Sequence, residues 1–158
     1  MSEVPTAELV MERVFDAPVD TIWDLWTNAE HFRRWYGPDG VVIPEATIDA
    51  TVGGRRLVCM EMDTPGGAMR MWFGGEHLEV TRPTRLVYTE AMCDEHGVPT
   101  PADQLPPGHG GVTEVRVELE DLDGRTRLVL THVGIPADSP GATGWTMALA
   151  KLAASLGG

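Results

Sequence analysis

A chain of 158 residues is the length of one ordinary domain, and 42% hydrophobic residues are enough to bury a core, which excludes a disordered chain. A formal charge of −12 repels nucleic-acid phosphates and anionic lipid surfaces, and no window approaches the ~20 apolar residues of a membrane span. The start, Met1-Ser2-Glu3-Val4-Pro5, has neither the basic residues nor the apolar run of a signal peptide, so the expected location is cytoplasmic.

Residues 9–15, Leu-Val-Met-Glu-Arg-Val-Phe, suggest a first strand, and Asp16-Ala17-Pro18 opens a helix, where proline is favoured at the start. Val19, Ile22, Trp23 and Trp26 then recur at spacings of three and four, the mark of an amphipathic helix. Thr27-Asn28 breaks it and can cap a second short helix over about 29–35, followed by the turn Tyr36-Gly37-Pro38-Asp39-Gly40. Strands are expected over 46–52, 55–63, 69–80 and 85–92. Val58, Met60 and Met62 share one face of the second of these, and Gly74-Gly75 suggests a bulge or bend in the third.

Residues 94–111 have no period and are rich in Pro, Gly, Asp and His; a connection that long tends to be functional or mobile. Two further strands, 113–121 and 126–133, meet through the hairpin signal Asp123-Gly124. After Pro136 and Pro140 a helix over about 143–156 gathers Trp145, Ala148, Leu149, Leu152 and Leu156 into one stripe. The pattern is that of an α+β chain: an antiparallel meander with one long helix to cover it. Neither an internal repeat nor a second domain is visible, so residues 1–158 read as a single domain with its core over about 9–156.

Several stretches resemble the heat-shock protein 90 ATPase activator homologue group of the SRPBCC (START-like, Bet v 1-like) superfamily, single-domain bacterial type. They are Arg13-Val14-Phe15-Asp16-Ala17-Pro18, Ile22-Trp23-Asp24-Leu25-Trp26-Thr27, Trp35-Tyr36-Gly37-Pro38, Asp49-Ala50-Thr51-Val52-Gly53-Gly54-Arg55, Gly75-Glu76-His77-Leu78-Glu79-Val80 and Arg85-Leu86-Val87-Tyr88-Thr89-Glu90. A seventh is Gly144-Trp145 with Leu149 and Lys151-Leu152. The resemblance implies a helix-grip fold: a curved antiparallel sheet of six to seven strands wrapped around a long C-terminal helix, two short helices after the first strand, and a cavity between sheet and helix. It implies binding of a hydrophobic, aromatic or polyketide-like molecule there, in the setting of bacterial secondary metabolism or antibiotic self-resistance. The superfamily also holds cyclases and aromatases, and the group holds co-chaperones whose eukaryotic members carry an additional N-terminal domain not seen in this sequence. Expected partners are therefore a hydrophobic small molecule, without nucleic acid or membrane insertion, in a monomer or homodimer.

Five tryptophans and eight methionines are a large apolar content for one domain. Trp23 and Trp26 read first as core, whereas Trp35, Trp72 and Trp145 are as well suited to stacking on a flat ligand. Met60 and its neighbours in the strands can adapt to irregular guests or simply fill the core, and Leu149 lies on the helix stripe facing them. His132 continues the alternation of Thr126, Leu128 and Leu130 and so should point inward, either to a ligand or to a neighbour that satisfies it. Tyr88 and Glu90 share a face with Leu86 and Met92; if that face is the inner one, Tyr88, Glu90 and His132 form a polar cluster able to bind ligand or to act as acid–base groups. The opposite face, Val87, Thr89 and Ala91, is the alternative.

No nucleophile elbow, phosphate loop, dinucleotide fingerprint or zinc-protease motif occurs, and the histidines lack metal-ligand spacing, so no metal and no cofactor is called for. His96 and His109 read as solvated loop residues. Arg33-Arg34 and Arg55-Arg56 read as surface charge, and Cys59 and Cys93 as buried free thiols.

Overall fold

A computed structural model of the chain describes residues 8–37, 39–104, 111–135 and 140–156. In chain order the elements are β1 (Glu8–Phe15), α1 (Val19–Thr27), α2 (Ala29–Phe32), β2 (Val41–Ile48), β3 (Arg55–Thr64), β4 (Gly67–Thr81), β5 (Arg85–Cys93), β6 (Thr113–Asp121), β7 (Thr126–Val133) and α3 (Pro140–Leu156), with a short 3-10 turn at Ala102–Gln104 between β5 and β6. Seven antiparallel strands form one sheet in the order β1-β7-β6-β5-β4-β3-β2. Consecutive strands from β2 to β7 pair with their neighbours, and β1 closes the far edge against β7. This is the expected helix-grip architecture.

Alternation decides which face is inside. Along β7, Thr126, Leu128, Leu130 and His132 are all buried, and along β5 Leu86, Tyr88 and Glu90 are buried on the same side. The inner face is therefore the one that carries Tyr88 and Glu90. α3 lays Trp145, Ala148, Leu149 and Leu152 over it, while Ile22, Trp23 and Trp26 of α1 seal one side. Asn28 ends α1 and begins α2, its side chain accepting from the backbone N–H of Glu30 (3.0 Å) and His31 (3.4 Å), which leaves Phe32, Trp35 and Tyr36 directed into the core.

Local departures from the sequence expectation have physical causes. β2 begins at Val41, five residues earlier than the alternation suggested, because Val41 and Ile43 are buried although Pro44 interrupts the pattern. α2 ends at Phe32, and α3 starts at Pro140, where proline is tolerated in a first turn. The irregularity in β4 falls between His77 and Glu79, not at the glycine pair. The Gly75 position instead serves a close approach: a Cβ there would stand 2.0 Å from the backbone oxygen of Thr89 on β5.

Trp72 is placed differently from its expected role. It opposes Cys59 on β3 and Cys93 on β5 in register, so all three point to the outer face, away from α3. There residues 94–104 fold back through the Cys93–Pro99 bridge, and the Arg55 guanidinium donates to the His96 carbonyl. Both cysteines are buried free thiols, and burial next to Asp94 pushes the Cys93 thiol up to about 11, which makes it inert. His96 is exposed, as expected for a loop; His109 and residues 105–110 lie outside the described residues.

Gly75→Ala should destabilise the fold by about 1–3 kcal/mol in urea unfolding, because it forces β4 and β5 apart. Gly66→Ala, whose Cβ would meet only Thr64 Oγ1 at 3.9 Å, should stay within about 0.5 kcal/mol.

Candidate functional site

Strand periodicity of two puts Arg56 on the face of Val58 and puts Tyr88 beside Glu90, and the sheet brings β3 and β5 to the same interior. Arg56 and Tyr88 are each 1% exposed. Arg56 Nη1 donates to Glu90 Oε2 at 3.1 Å, and the Tyr36 hydroxyl donates to the same oxygen at 3.2 Å. The guanidinium carbon lies 4.3 Å from the ring centroid of Tyr88, 5.0 Å from Phe32 and 5.6 Å from Tyr36, so aromatic faces replace the water that the cation has lost. Burial opposes its charge, but Tyr88, Glu90 and Tyr36 around it more than offset that and keep Arg56 protonated. Burial likewise raises Tyr36 and Tyr88 well above the ordinary phenol value, with Glu90 adding to it, and both hydroxyls keep their protons.

A second chain of hydrogen bonds runs beside this pair. Trp145 Nε1 can only donate, and it donates to His132 Nδ1 at 3.0 Å. The His132 proton therefore sits on Nε2, which donates to Thr113 Oγ1 at 2.7 Å, and Thr113 in turn donates to the Glu90 carbonyl at 3.1 Å. Burial lowers the His132 pKa; Arg56 adds to that and Glu90 opposes it. A proton gained by His132 would confront the indole N–H, so the pair works as a brace between α3 and β7. With both nitrogens engaged, proton transfer through His132 would require one of these bonds to break.

The structure thus brings Tyr88, Glu90 and His132 together, as the alternation suggested, and adds Trp145, Arg56, Tyr36 and Thr113. Arg56 is a correction: it is not surface charge but the central cation of the interior. Extending the Val58-Met60-Met62 face back by one alternation step would have found it. Tyr36 was hidden inside a turn signal, and Thr113 carried no signal beyond opening a strand.

The apolar lining divides into a packed part and an open part. Trp26 stacks on Trp145 with centroids 5.7 Å apart, and Trp35 meets Trp26 edge-on at 4.8 Å while its Nε1 donates to the Leu25 carbonyl. These indoles and Leu149 fill the room between sheet and helix that was expected to be hollow. Among the described residues two clefts, of about 340 and 380 Å³, are open to solvent, and neither is lined by Glu90, His132 or Trp145. Toward the far ends of β3 and β5 the inner face is only partly covered. There Met60 opposes Met71, Met62 opposes Met69, and Phe73 opposes both Val58 and Met92; Met69 is 48% exposed and Met60, Met62, Met71, Phe73 and Met92 are half-buried. Five of the eight methionines form this surface. Glu90 stands at its inner end, with 11% of its side chain accessible.

Four buried polar atoms lack a partner among the described residues: Arg56 Nη2, Tyr88 OH, Trp26 Nε1 and His77 Nε2. Unmet groups of this kind cost about 1–3 kcal/mol each.

Two outcomes follow from this geometry. Glu90→Gln should cost about 3–5 kcal/mol of stability in urea unfolding, because Arg56 is left as an uncompensated buried cation. His132 and His77 both have lowered pKa values from burial, so the unfolded chain binds more protons than the folded one near pH 6. Their stabilisation is present above about pH 6.5 and is lost as the pH falls through the folded values. The melting temperature should therefore drop between about pH 7 and 5, and His132→Gln should flatten that slope.

Comparison with known proteins places this geometry in a family. The family model described as Activator of Hsp90 ATPase homolog 1-like protein matches residues 16–157. No curated protein matches the sequence. Among solved structures, a protein from Chromobacterium violaceum superposes with a TM-score of 0.76 at 26% identity, covering 94% of this chain and 95% of its own. One from Arthrobacter aurescens gives 0.74 at 26% identity, covering 95% and 86%. The AHSA1 protein of Silicibacter pomeroyi gives 0.71 at 24% identity, covering 96% and 98%, a likeness of fold.

Proposed function

The chain belongs to the Activator of Hsp90 ATPase homolog 1-like family, an SRPBCC-type family whose fold binds hydrophobic ligands, and on that footing we propose that it binds a flat hydrophobic small molecule against the methionine-lined inner face of β3–β5. The observation that carries this reading is the half-covered surface of Met60, Met62, Met69, Met71 and Met92 leading to a buried polar group. Methionine is unbranched and polarisable, so such a wall can part around a guest and close on it without a preformed hollow. Exposed apolar surface of this kind, with polar residues at its inner end, is the usual signature of a ligand groove. Trp145 packs behind the polar group at the deep end, its ring centroid 5.7 Å from that of Tyr36.

The finer form of the proposal is an aromatic or polyketide-like ligand in bacterial secondary metabolism, with self-resistance by sequestration as one such role. Both need a conjugated molecule to be held out of water, which thioether and indole surfaces do well.

Titration with 2-acetylnaphthalene should quench tryptophan emission saturably, because Trp145 packs edge-on against Tyr36, which bonds the Glu90 carboxylate at the end of the groove. Met60→Glu, a half-buried position where a charge is tolerated by the fold but not by an apolar guest, should weaken binding at least about tenfold with the far-UV circular dichroism unchanged. No saturable response in the wild-type protein, or an undiminished one in Met60→Glu, would contradict the reading.

A further inference from the structure

The buried polar group is closed in charge but open in hydrogen bonding. Arg56 and Glu90 cancel each other, and Tyr36, Tyr88 and His132 are neutral. Glu90 Oε2 already receives two donors, and the Trp145–His132–Thr113 chain ends on a backbone carbonyl. What remains is the two N–H groups of Arg56 Nη2 and the O–H of Tyr88, on two residues each 1% exposed and in contact with each other. Both groups are donors on the face that carries the methionines: Tyr88 lies one alternation step from Glu90 and two from Met92 on β5, and Arg56 lies one step from Val58 and two from Met60 on β3.

Resting on the hydrophobic-binding reading, we infer that this interior is a subsite for an uncharged hydrogen-bond acceptor, and that the ligand is a neutral apolar molecule bearing a carbonyl oxygen that takes the free donors of Arg56 and Tyr88. The exclusions follow from the same groups. A carboxylate would set a second negative charge beside Glu90 in a site with little water to screen it. An amine would meet the Arg56 cation. A plain hydrocarbon would leave both donors unpaired, as they are in the free chain. His77, whose ring centroid is 5.9 Å from that of Tyr88, does not serve as the donors' partner: its Nδ1 faces the Gly54 carbonyl at 3.1 Å and its Nε2 is itself without one.

Three probes with one ring system separate the possibilities: 2-acetylnaphthalene, 2-ethylnaphthalene and 2-naphthoate, each titrated against the whole chain at pH 7.5. Apolar burial alone ranks the ethyl compound first. The inference instead ranks the ketone first, about tenfold tighter than either of the others. Tyr88→Phe should remove about three- to tenfold of the ketone's advantage, leave the ethyl compound's affinity unchanged and leave the melting temperature equal or higher, because the lost hydroxyl had no partner. Equal binding of ketone and hydrocarbon, with the donors satisfied by water, would overturn the subsite while leaving hydrophobic binding intact. Tighter binding of naphthoate, or an unchanged preference in Tyr88→Phe, would also overturn it. If none of the three binds, the hydrophobic-binding reading fails and the subsite falls with it.

Discussion

The Arg56–Glu90 ion pair is the constraint around which the interior is arranged. Two charges removed from water cost several kcal/mol each unless geometry and further hydrogen bonds compensate, and a well-packed apolar pair of the same volume is often as stable or more so. The chain meets that cost with particular residues: Tyr36 bonds the carboxylate, three rings lie against the guanidinium, and Thr113 ties the Glu90 backbone to His132. α2 delivers Phe32, the turn after it delivers Tyr36, β5 delivers Tyr88, and α3 is braced through Trp145. The cluster draws on both sheet and helices, so sheet curvature, the two short helices and the placement of α3 all converge on it.

That convergence leaves a functional asymmetry. On one side the indoles of Trp26, Trp35 and Trp145 pack against one another and exclude a guest. On the other, methionines cover the inner face only in part. A helix-grip fold is usually pictured as a hollow between sheet and helix; here the same architecture holds a filled half and a yielding half, with unpaired donors where the two meet.

Fold was legible because it is written in periodicities that tertiary contacts reinforce. The two-residue alternation of β7 placed His132 inward, and the helical spacing of Trp145, Ala148, Leu149 and Leu152 matched the buried stripe. Membership of the buried polar cluster was legible where it followed the same alternation, as for Tyr88 and Glu90. It failed where a residue's type outweighed its position: Arg56 looked like surface charge because arginine usually is, although its parity with Val58 pointed inside. Trp72 failed for the opposite reason, since an aromatic suggests a ligand wall, yet parity with Cys59 sends it to the outer face. Tyr36 depends on how the chain leaves α2, which no local pattern encodes.

The most direct test of the account is the position of the yielding wall. With the methionine methyl groups labelled with carbon-13, a two-dimensional NMR titration with 2-acetylnaphthalene follows each of them separately. The account predicts that Met60, Met62, Met71 and Met92 shift together and saturate at one ligand per chain, while Met11 on β1 and Met147 on α3 stay in place. Shifts confined to Met11 and Met147, or spread evenly over all the methionines without saturation, would contradict it.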